Sequence, residues 1–278
     1  ERIADATGLD PLEVRRANLY GPAPRDVAPY GQPIGEFRVP RILDELCVDL
    51  EQRRAAVAAF NNSHTHRKRG IAVAPVKFGI SFTNSFLNQV GAYLSVSTDG
   101  SVQLNHGGTE MGQGLYTKML QICSHDLGVP MDRIRQMPTC TDKVPNTPPT
   151  AASSGSDLNG QAVRDACEKL VERLRPLAAR ALGVEVEAMH VAAGNRSPWP
   201  HAADGAPAWA WTDQGESMSF AQACTQAWLN RVPLASAGYY ATPDIHYDRS
   251  AGRGKPFHYF AYGAAVSDYI DFVRDSRP

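Results

Sequence analysis

Eight residues, Gly107-Gly108-Thr109-Glu110-Met111-Gly112-Gln113-Gly114, hold four glycines and run straight into an apolar helical stretch, Leu115 to Cys123. Glycine lets a backbone approach a ligand closely or take up positive φ, and a helix start offers unpaired N–H groups, so together they form a candidate anion cradle. A tight strand-to-helix turn with no ligand carries the same signature. A second run, Thr150-Ala151-Ala152-Ser153-Ser154-Gly155-Ser156-Asp157, is also free of bulky side chains and also opens a helix. Two such loops suggest backbone amides converging on one large anionic ligand, with close packing of helix on strand as the alternative. A P-loop is excluded, because Gly107 to Gly114 lacks the terminal Lys and Ser/Thr pair that phosphate and magnesium contacts require.

Other residues of chemical interest have blander readings. His64 and His66 are two possible metal ligands without a third nearby, beside the basic run Arg67 to Arg69, which reads as a solvated loop tip. His106 shares a strand face with Val102 and Leu104 and is expected to be a core histidine satisfied by a backbone partner. His246 and His258 sit beside tyrosines and read as packing residues. The five cysteines are scattered, with no C-x-x-C pair to suggest zinc, an iron–sulfur cluster or a disulfide framework, and a reducing compartment, the cytoplasm, is expected.

The elements that must position the two loops follow from periodicity. Asp10 caps a helix with Pro11 at its first position, and Gly21-Pro22 stops it. After a Pro- and Gly-rich connector, Ile42, Leu43, Leu46, Cys47, Leu50, Ala55, Ala56 and Ala59 predict one amphipathic helix from Arg41 to Phe60. Ile71 to Ile80 reads as an edge or bulged strand, broken at Pro75 and Gly79. Leu94, Val96 and Thr98 alternate into Asp99-Gly100, and Val102, Leu104 and His106 alternate out, a hairpin with a two-residue type I′ loop that delivers the chain to Gly107. The next helix buries Leu115, Met119, Ile122 and Cys123 and stops at Gly128. A short strand, Arg133 to Met137, leads through a Pro-rich loop to a long helix with stripe Val163, Cys167, Leu170, Val171, Leu174 and Ala178, capped by Ser156 or Asp157. The segment Val184 to Asp213, with Trp199, Trp209 and Trp211, reads as a surface excursion whose tryptophans fold onto the core, a substrate lid being the alternative. A helix from Ser219 to Leu229 and a strand from Val232 to Tyr240 follow.

The chain of 278 residues has an ordinary soluble composition, 43% hydrophobic and 21% charged, with a net charge of −1. That balance gives no argument for nucleic acid or an acidic membrane as partner. No run approaches the roughly 18 apolar residues of a membrane helix. The chain opens at Glu1 inside a helical pattern, without Met or signal peptide, and reads as an internal fragment.

Several ordered motifs resemble one family. Lys77-Phe78-Gly79-Ile80-Ser81-Phe82-Thr83, Phe86-Leu87-Asn88-Gln89, Thr98 to Val102, Gly107 to Gly114, Val144 to Thr147, Pro149 to Ser153, Asp157 with Gly160 to Val163, and Pro256 to Gly263 resemble the molybdenum-cofactor subunit of xanthine dehydrogenases. These belong with the aldehyde oxidases to the molybdenum hydroxylases. Gly8 to Arg15 with Asn18 resembles the same family, whereas the sequence from Asp268 departs from its pattern.

The resemblance implies an α+β fold of mixed sheets with packed helices, part of a pair of molybdenum-cofactor-binding domains. Residues 1–22 would be a helical tail of the preceding domain, 23–66 a connector and amphipathic helix, and 67–278 the truncated N-terminal part of the second domain. It implies cofactor contacts from Gly112, Gln113 and Gly114 and from Thr150, Ala151, Ala152, Ser153, Ser154, Gly155 and Ser156, with Ala151 and Ala152 leaving space beside the metal. Phe82 would pack against a flat purine and Thr83 would hydrogen-bond its edge. The metal would be held by the pterin dithiolene, with no protein ligand. The implied reaction hydroxylates hypoxanthine and xanthine toward urate, or an aldehyde in the aldehyde oxidase-like alternative. Electrons would leave through 2Fe-2S clusters and FAD to NAD, in other domains or subunits of an oligomeric complex. The general-base glutamate would lie downstream of Pro278, so the chain alone is expected to be inactive, and Glu110 is expected to serve its loop. A non-catalytic scaffold is the remaining alternative.

Overall fold

The computed structural model describes residues 1–144, 146–151, 154–195 and 199–272. In chain order these form α1 (Arg2–Thr7), α2 (Pro11–Ala17), α3 (Val39–Leu46), α4 (Leu50–Ser63), β1 (Arg67–Ile80), β2 (Gln89–Val96), β3 (Val102–His106), α5 (Leu115–Leu127) and β4 (Ile134–Gln136). Then come α6 (Gly155–Leu182), β5 (His190–Val191), β6 (Ala208–Trp211), β7 (Ser217–Ser219), α7 (Phe220–Leu229), β8 (Ala235–Ala241), β9 (His246–Asp248), β10 (Arg253–Lys255) and β11 (Tyr259–Phe272). Helices and mixed sheets share the chain, the α+β class expected. By contacts the chain divides into two compact units, residues 1–80 with 245 onward, and residues 81–244.

The first unit is organised by one long ribbon. β1 and β11, each of 14 residues, pair antiparallel in unbroken register from Arg67 opposite Phe272 to Ile80 opposite Tyr259. Pro75 and Gly79 therefore do not bulge β1. Proline is tolerated because a two-stranded sheet has only edge strands, and Gly79 is needed because a Cβ there would collide with the Phe257 ring. The basic residues Arg67 to Arg69 lie in β1, not in a loop, because Asn61 hydrogen-bonds both the N–H and the C=O of Arg69. The single helix expected from Arg41 to Phe60 is two, broken at residues 47–49, where Val48 is exposed and Leu50 N–H bonds Cys47 O. Leu12, Val39, Leu43, Leu50 and Val73 form the buried cluster beneath them. Asp10 caps α2 as expected, accepting from Leu12 and Glu13 N–H.

The second unit contains the larger core. Its four-stranded sheet has the order β4-β3-β2-β8, antiparallel except for β3 with β4, the parallel pair that α5 connects. Leu115, Met119, Cys123 and Leu127 of α5 and the stripe from Leu158 to Ala179 of α6 are buried in one cluster with Val90, Leu94, Val102 and Leu104 of the sheet. The β2–β3 hairpin closes through residues 97–101, with Gly100 N–H on Ser97 O, Ser97 N–H on Ser101 O and Gly100 at φ 79°. That is the longer loop with a left-handed glycine rather than a two-residue type I′ turn. Trp209 is buried, donates its indole N–H to Leu127 O at 2.7 Å and packs on Phe220, so the tryptophan-rich excursion folds onto the core through the sheet β5-β6-β7. Ser219 and Gln222 form a reciprocal capping box on α7.

Register places one end of this sheet where chemistry is expected. Ala92 stands opposite His106, and Gln89 opposite Ala241, so the entry to β2, the exit of β3 and the exit of β8 share that end. β4 runs parallel to β3, with Gln136 beside Leu104, so its exit joins them.

The fit of α6 on β8 depends on Gly238, where a Cβ would collide with the Ala162 carbonyl oxygen and crowd Ala166 N. Gly238→Ala should therefore cost about 2 kcal/mol or more in chemical denaturation, since backbone cannot yield as a side chain does. Gly263→Ala, where a Cβ meets open space, should change stability by less than about 0.5 kcal/mol.

Candidate functional site

The four glycines of residues 107–114 divide into two kinds. A Cβ at Gly107 would collide with the Thr147 side chain, and one at Gly108 with Leu115 and Asn159. These two serve close packing. Gly112 and Gly114 are in the left-handed region, at φ 96° and 73°, and nothing lies within 4 Å of where their Cβ atoms would stand. Their backbone is open to an approaching group.

The helix start behind them already has its anion. Glu110 Oε1 accepts from Gly112 N–H at 2.8 Å and Gly114 N–H at 3.0 Å, and Oε2 accepts from Tyr116 N–H at 3.1 Å. These amides, Tyr116 first, hold its carboxyl below its ordinary pKa. The half-buried Gln113 is turned onto its own loop, accepting from Met111 N–H at 2.5 Å and donating to Thr109 O at 3.0 Å. Charge at the N-terminus of α5 is thus met from within the chain, so the loop offers open backbone and an amide side chain rather than an empty anion cradle.

The second loop does meet the first. Thr109 N–H donates to Thr150 Oγ1 at 2.9 Å, and Thr139 Oγ1 donates to Gly108 O at 2.9 Å. Ala151 is half-buried and its carbonyl accepts from Ser154 and Gly155 N–H, so α6 begins at Gly155 with Ser154 as the N-cap position, earlier than Ser156 or Asp157. Ser154 is buried, and Ser156, within the first turn, accepts from Lys118 Nζ at 3.3 Å. Ala152 and Ser153 lie outside the described residues. His106 is the packing residue expected: buried, accepting from Gly108 N–H through Nδ1, with burial pushing its pKa down to about 4 against an opposing pull from Gln136.

Phe82 and Thr83 lie on the segment that enters β2 at the same end of the sheet, though among the described residues no hydrogen bond joins them to either loop. Phe82 is half-buried, Thr83 exposed. Phe82 belongs to neither hydrophobic cluster, which argues against an ordinary core aromatic. Its backbone is held by the buried side chain of Asn88, which accepts from Phe82 N–H at 2.7 Å and donates to Phe82 O at 2.8 Å. In the sequence Asn88 stood out only as part of a motif, because a side chain that pairs with backbone six residues away has no spacing signature.

The polar groups at this end of the sheet, a primary amide and hydroxyls beside glycine backbone with open space around it, suit the edge of an organic heterocycle and do not form a metal-ligand set. Among the described residues no group of three or more His, Cys, Asp and Glu gathers to hold a metal ion. A flat cofactor with its own hydrogen-bonding edge therefore fits the residues present.

Residues 46–269 match the molybdopterin cofactor-binding domain family. The chain belongs to that family. It is 40% identical over 273 residues to a xanthine dehydrogenase of Dictyostelium discoideum, covering 96% of this chain and 18% of that protein. It is also 40% identical over 250 residues to a nicotinate hydroxylase of Emericella nidulans, covering 88% of this chain and 16% of that one. The chain thus spans less than a fifth of the length of these relatives. The aldehyde oxidoreductase of Desulfovibrio desulfuricans shares the fold, with a TM-score of 0.68 and 23% identity over 97% of this chain and 25% of that chain. Membership ties the chain to the molybdopterin cofactor, whose candidate contacts are the residues above. No helix among the described residues is long and apolar enough to cross a membrane.

The Glu110 network gives a test in which the sign of the pH effect is fixed. A carboxyl with a lowered folded pKa stabilises its loop above its unfolded pKa and loses that contribution as pH falls through the folded one. Glu110→Gln should make residues 110–116 more susceptible to limited proteolysis at neutral pH. Wild type should reach the same susceptibility only on acidification, with the cut sites read by mass spectrometry.

Proposed function

We propose that this chain is the cofactor-cradling and substrate-facing part of a xanthine dehydrogenase-like molybdenum hydroxylase that converts hypoxanthine and xanthine toward urate. The observation that carries the reading is the bond from Thr109 N–H to Thr150 Oγ1, which joins the two small-residue loops at the sheet end. When bound, the molybdenum–pterin group supplies the two-electron redox centre at which an electron-poor ring carbon is hydroxylated. Open backbone at Gly112 and Gly114 lets the cofactor approach, and Gln113 exchanges its bonds to Met111 and Thr109 for bonds to the pterin edge. Thr150 holds the two loops together. Ala151 lines the other side, and Ser154, Gly155 and Ser156 complete it through the start of α6; the further contacts proposed for Ala152 and Ser153 fall on residues outside those described. Phe82 forms an aromatic wall for the planar substrate and Thr83 addresses its edge.

Glu110 is committed to three loop amides, so the proton-accepting carboxylate is assigned to the parent enzyme outside residues 1–278. The same holds for the 2Fe-2S, FAD and NAD sites and for oligomeric contacts. Within that parent, residues 67–278 form part of the second cofactor-binding domain, preceded by the connector 23–66 and the helical segment 1–22. The five free cysteines fit a cytoplasmic enzyme. A second reading, hydroxylation of a different N-heterocycle, draws on the equal identity to a nicotinate hydroxylase.

The test is purification of the complete enzyme with its partners, followed by molybdenum analysis and turnover on xanthine, nicotinate and an aromatic aldehyde. Turnover on xanthine above the others supports the proposal; a molybdenum-loaded enzyme active only on nicotinate or on aldehydes replaces it. Gln113→Ala should reduce molybdenum retention or turnover by roughly tenfold, the worth of about one net hydrogen bond, without lowering the thermal midpoint. Unchanged metal content and turnover would remove Gln113 from the cradle.

A further inference from the structure

We propose that Asn88 is a positioning residue that fixes Phe82 at the substrate face. This rests on the reading of Phe82 as the aromatic wall. The Phe82 ring is half-buried, lies outside both hydrophobic clusters and has no other ring packed on it among the described residues. The ring therefore takes no part in either packed cluster, and its placement draws on the backbone that carries it. Asn88, 2% exposed, closes both polar groups of that backbone: Oδ1 accepts from Phe82 N–H at 2.7 Å, and Nδ2 donates to Phe82 O at 2.8 Å and to Asn84 O at 3.1 Å. A primary amide offers an acceptor and two donors, the complement of a peptide unit, so neither Asp nor Leu can replace it in kind.

Two further observations show that the clamp has work to do. Ser81, the residue before Phe82, stands at φ 131°, a conformation that a side chain of L configuration rarely adopts and that persists only where its surroundings over-determine it. Asn88 is itself referenced to the sheet, since its carbonyl accepts from Thr242 N–H at 2.9 Å just beyond β8, and its N–H bonds Ser85 O at 3.0 Å. The chain of constraint thus runs from β8 through Asn88 to Phe82. Asn88 touches neither cofactor nor substrate on this account, and acts only through the aromatic.

The experiment uses the complete enzyme and compares Asn88→Ala, Asn88→Asp, Phe82→Ala and the double variant Asn88→Ala/Phe82→Ala with xanthine as substrate. Molybdenum content and hydrogen exchange of residues 81–88 are measured alongside. The expected result is a KM raised roughly tenfold to a hundredfold in Asn88→Ala, as a wall displaced by about an ångström would give. Molybdenum content should be unchanged, exchange at 81–88 faster, and the Asn88→Ala change without further effect once Phe82 is Ala. Asn88→Asp keeps size and the acceptor while losing the donor, and carries the test where Ala impairs folding. If Phe82→Ala raises KM but neither Asn88 variant does, the positioning role is overturned while the wall stands. If Phe82→Ala leaves KM unchanged, the wall reading falls and the inference with it.

Discussion

A carboxylate facing the start of α5 sets the terms for everything built on it. Glu110 supplies the negative charge that the exposed amides of a helix N-terminus attract, so the loop is folded by its own side chain. Gly112 and Gly114 give their N–H groups to Glu110 and leave open space where a side chain would stand, with Gln113 between them. A loop closed on itself in this way keeps its shape without a ligand. Ordering it does not have to come out of the free energy of binding, which raises the affinity available from a few hydrogen bonds.

The sheet then determines what this loop faces. Antiparallel pairing of β2 with β3 and β8, and the parallel pairing of β3 with β4, bring four chain segments to one end, while α5 and α6 press against the strands from the buried side. Gly107 and Gly108 are spent on that packing, and the Thr109 to Thr150 bond completes the junction. The scaffold at this end is rigid because it borrows the core of the larger unit. The elements around Phe82 lack that support and depend on polar pairing of the backbone, a softer constraint that a single side chain can control.

Much of this was legible in the sequence, and the reasons for the rest are physical. The hairpin, α5 with its stop at Gly128, the long α6 and the capping of α2 follow from periodicity and cap chemistry, which are local. The unbroken pairing of β1 with β11 was not legible, since Pro75 and Gly79 signal breaks unless the partner strand and the Phe257 ring are known. The break at residues 47–49 was hidden by apolar spacing that continues across it. At the site, the contact of two small-residue loops was foreseen from their composition. What composition could not reveal was the division of the glycines into two for packing and two for access, or the use of Glu110 and Asn88. Each of those depends on where a flexible side chain ends, and so on tertiary structure.

The division of labour between these two kinds of constraint bears on specificity. The chain is equally identical to a xanthine dehydrogenase and to a nicotinate hydroxylase, so overall identity cannot separate the two substrates. On our reading the loops address the cofactor, which both chemistries share, and are held by the packed core. The Phe82 segment addresses the substrate and is held by hydrogen bonds from Asn88 and by a strained Ser81. A core-packed element tolerates little change, because volume errors there destabilise the whole unit. A segment outside the core can shift by a fraction of an ångström at small cost to stability. A substrate wall carried on such a segment can be re-aimed between heterocycles while the cradle stays fixed, which is the arrangement one cofactor serving several substrates requires.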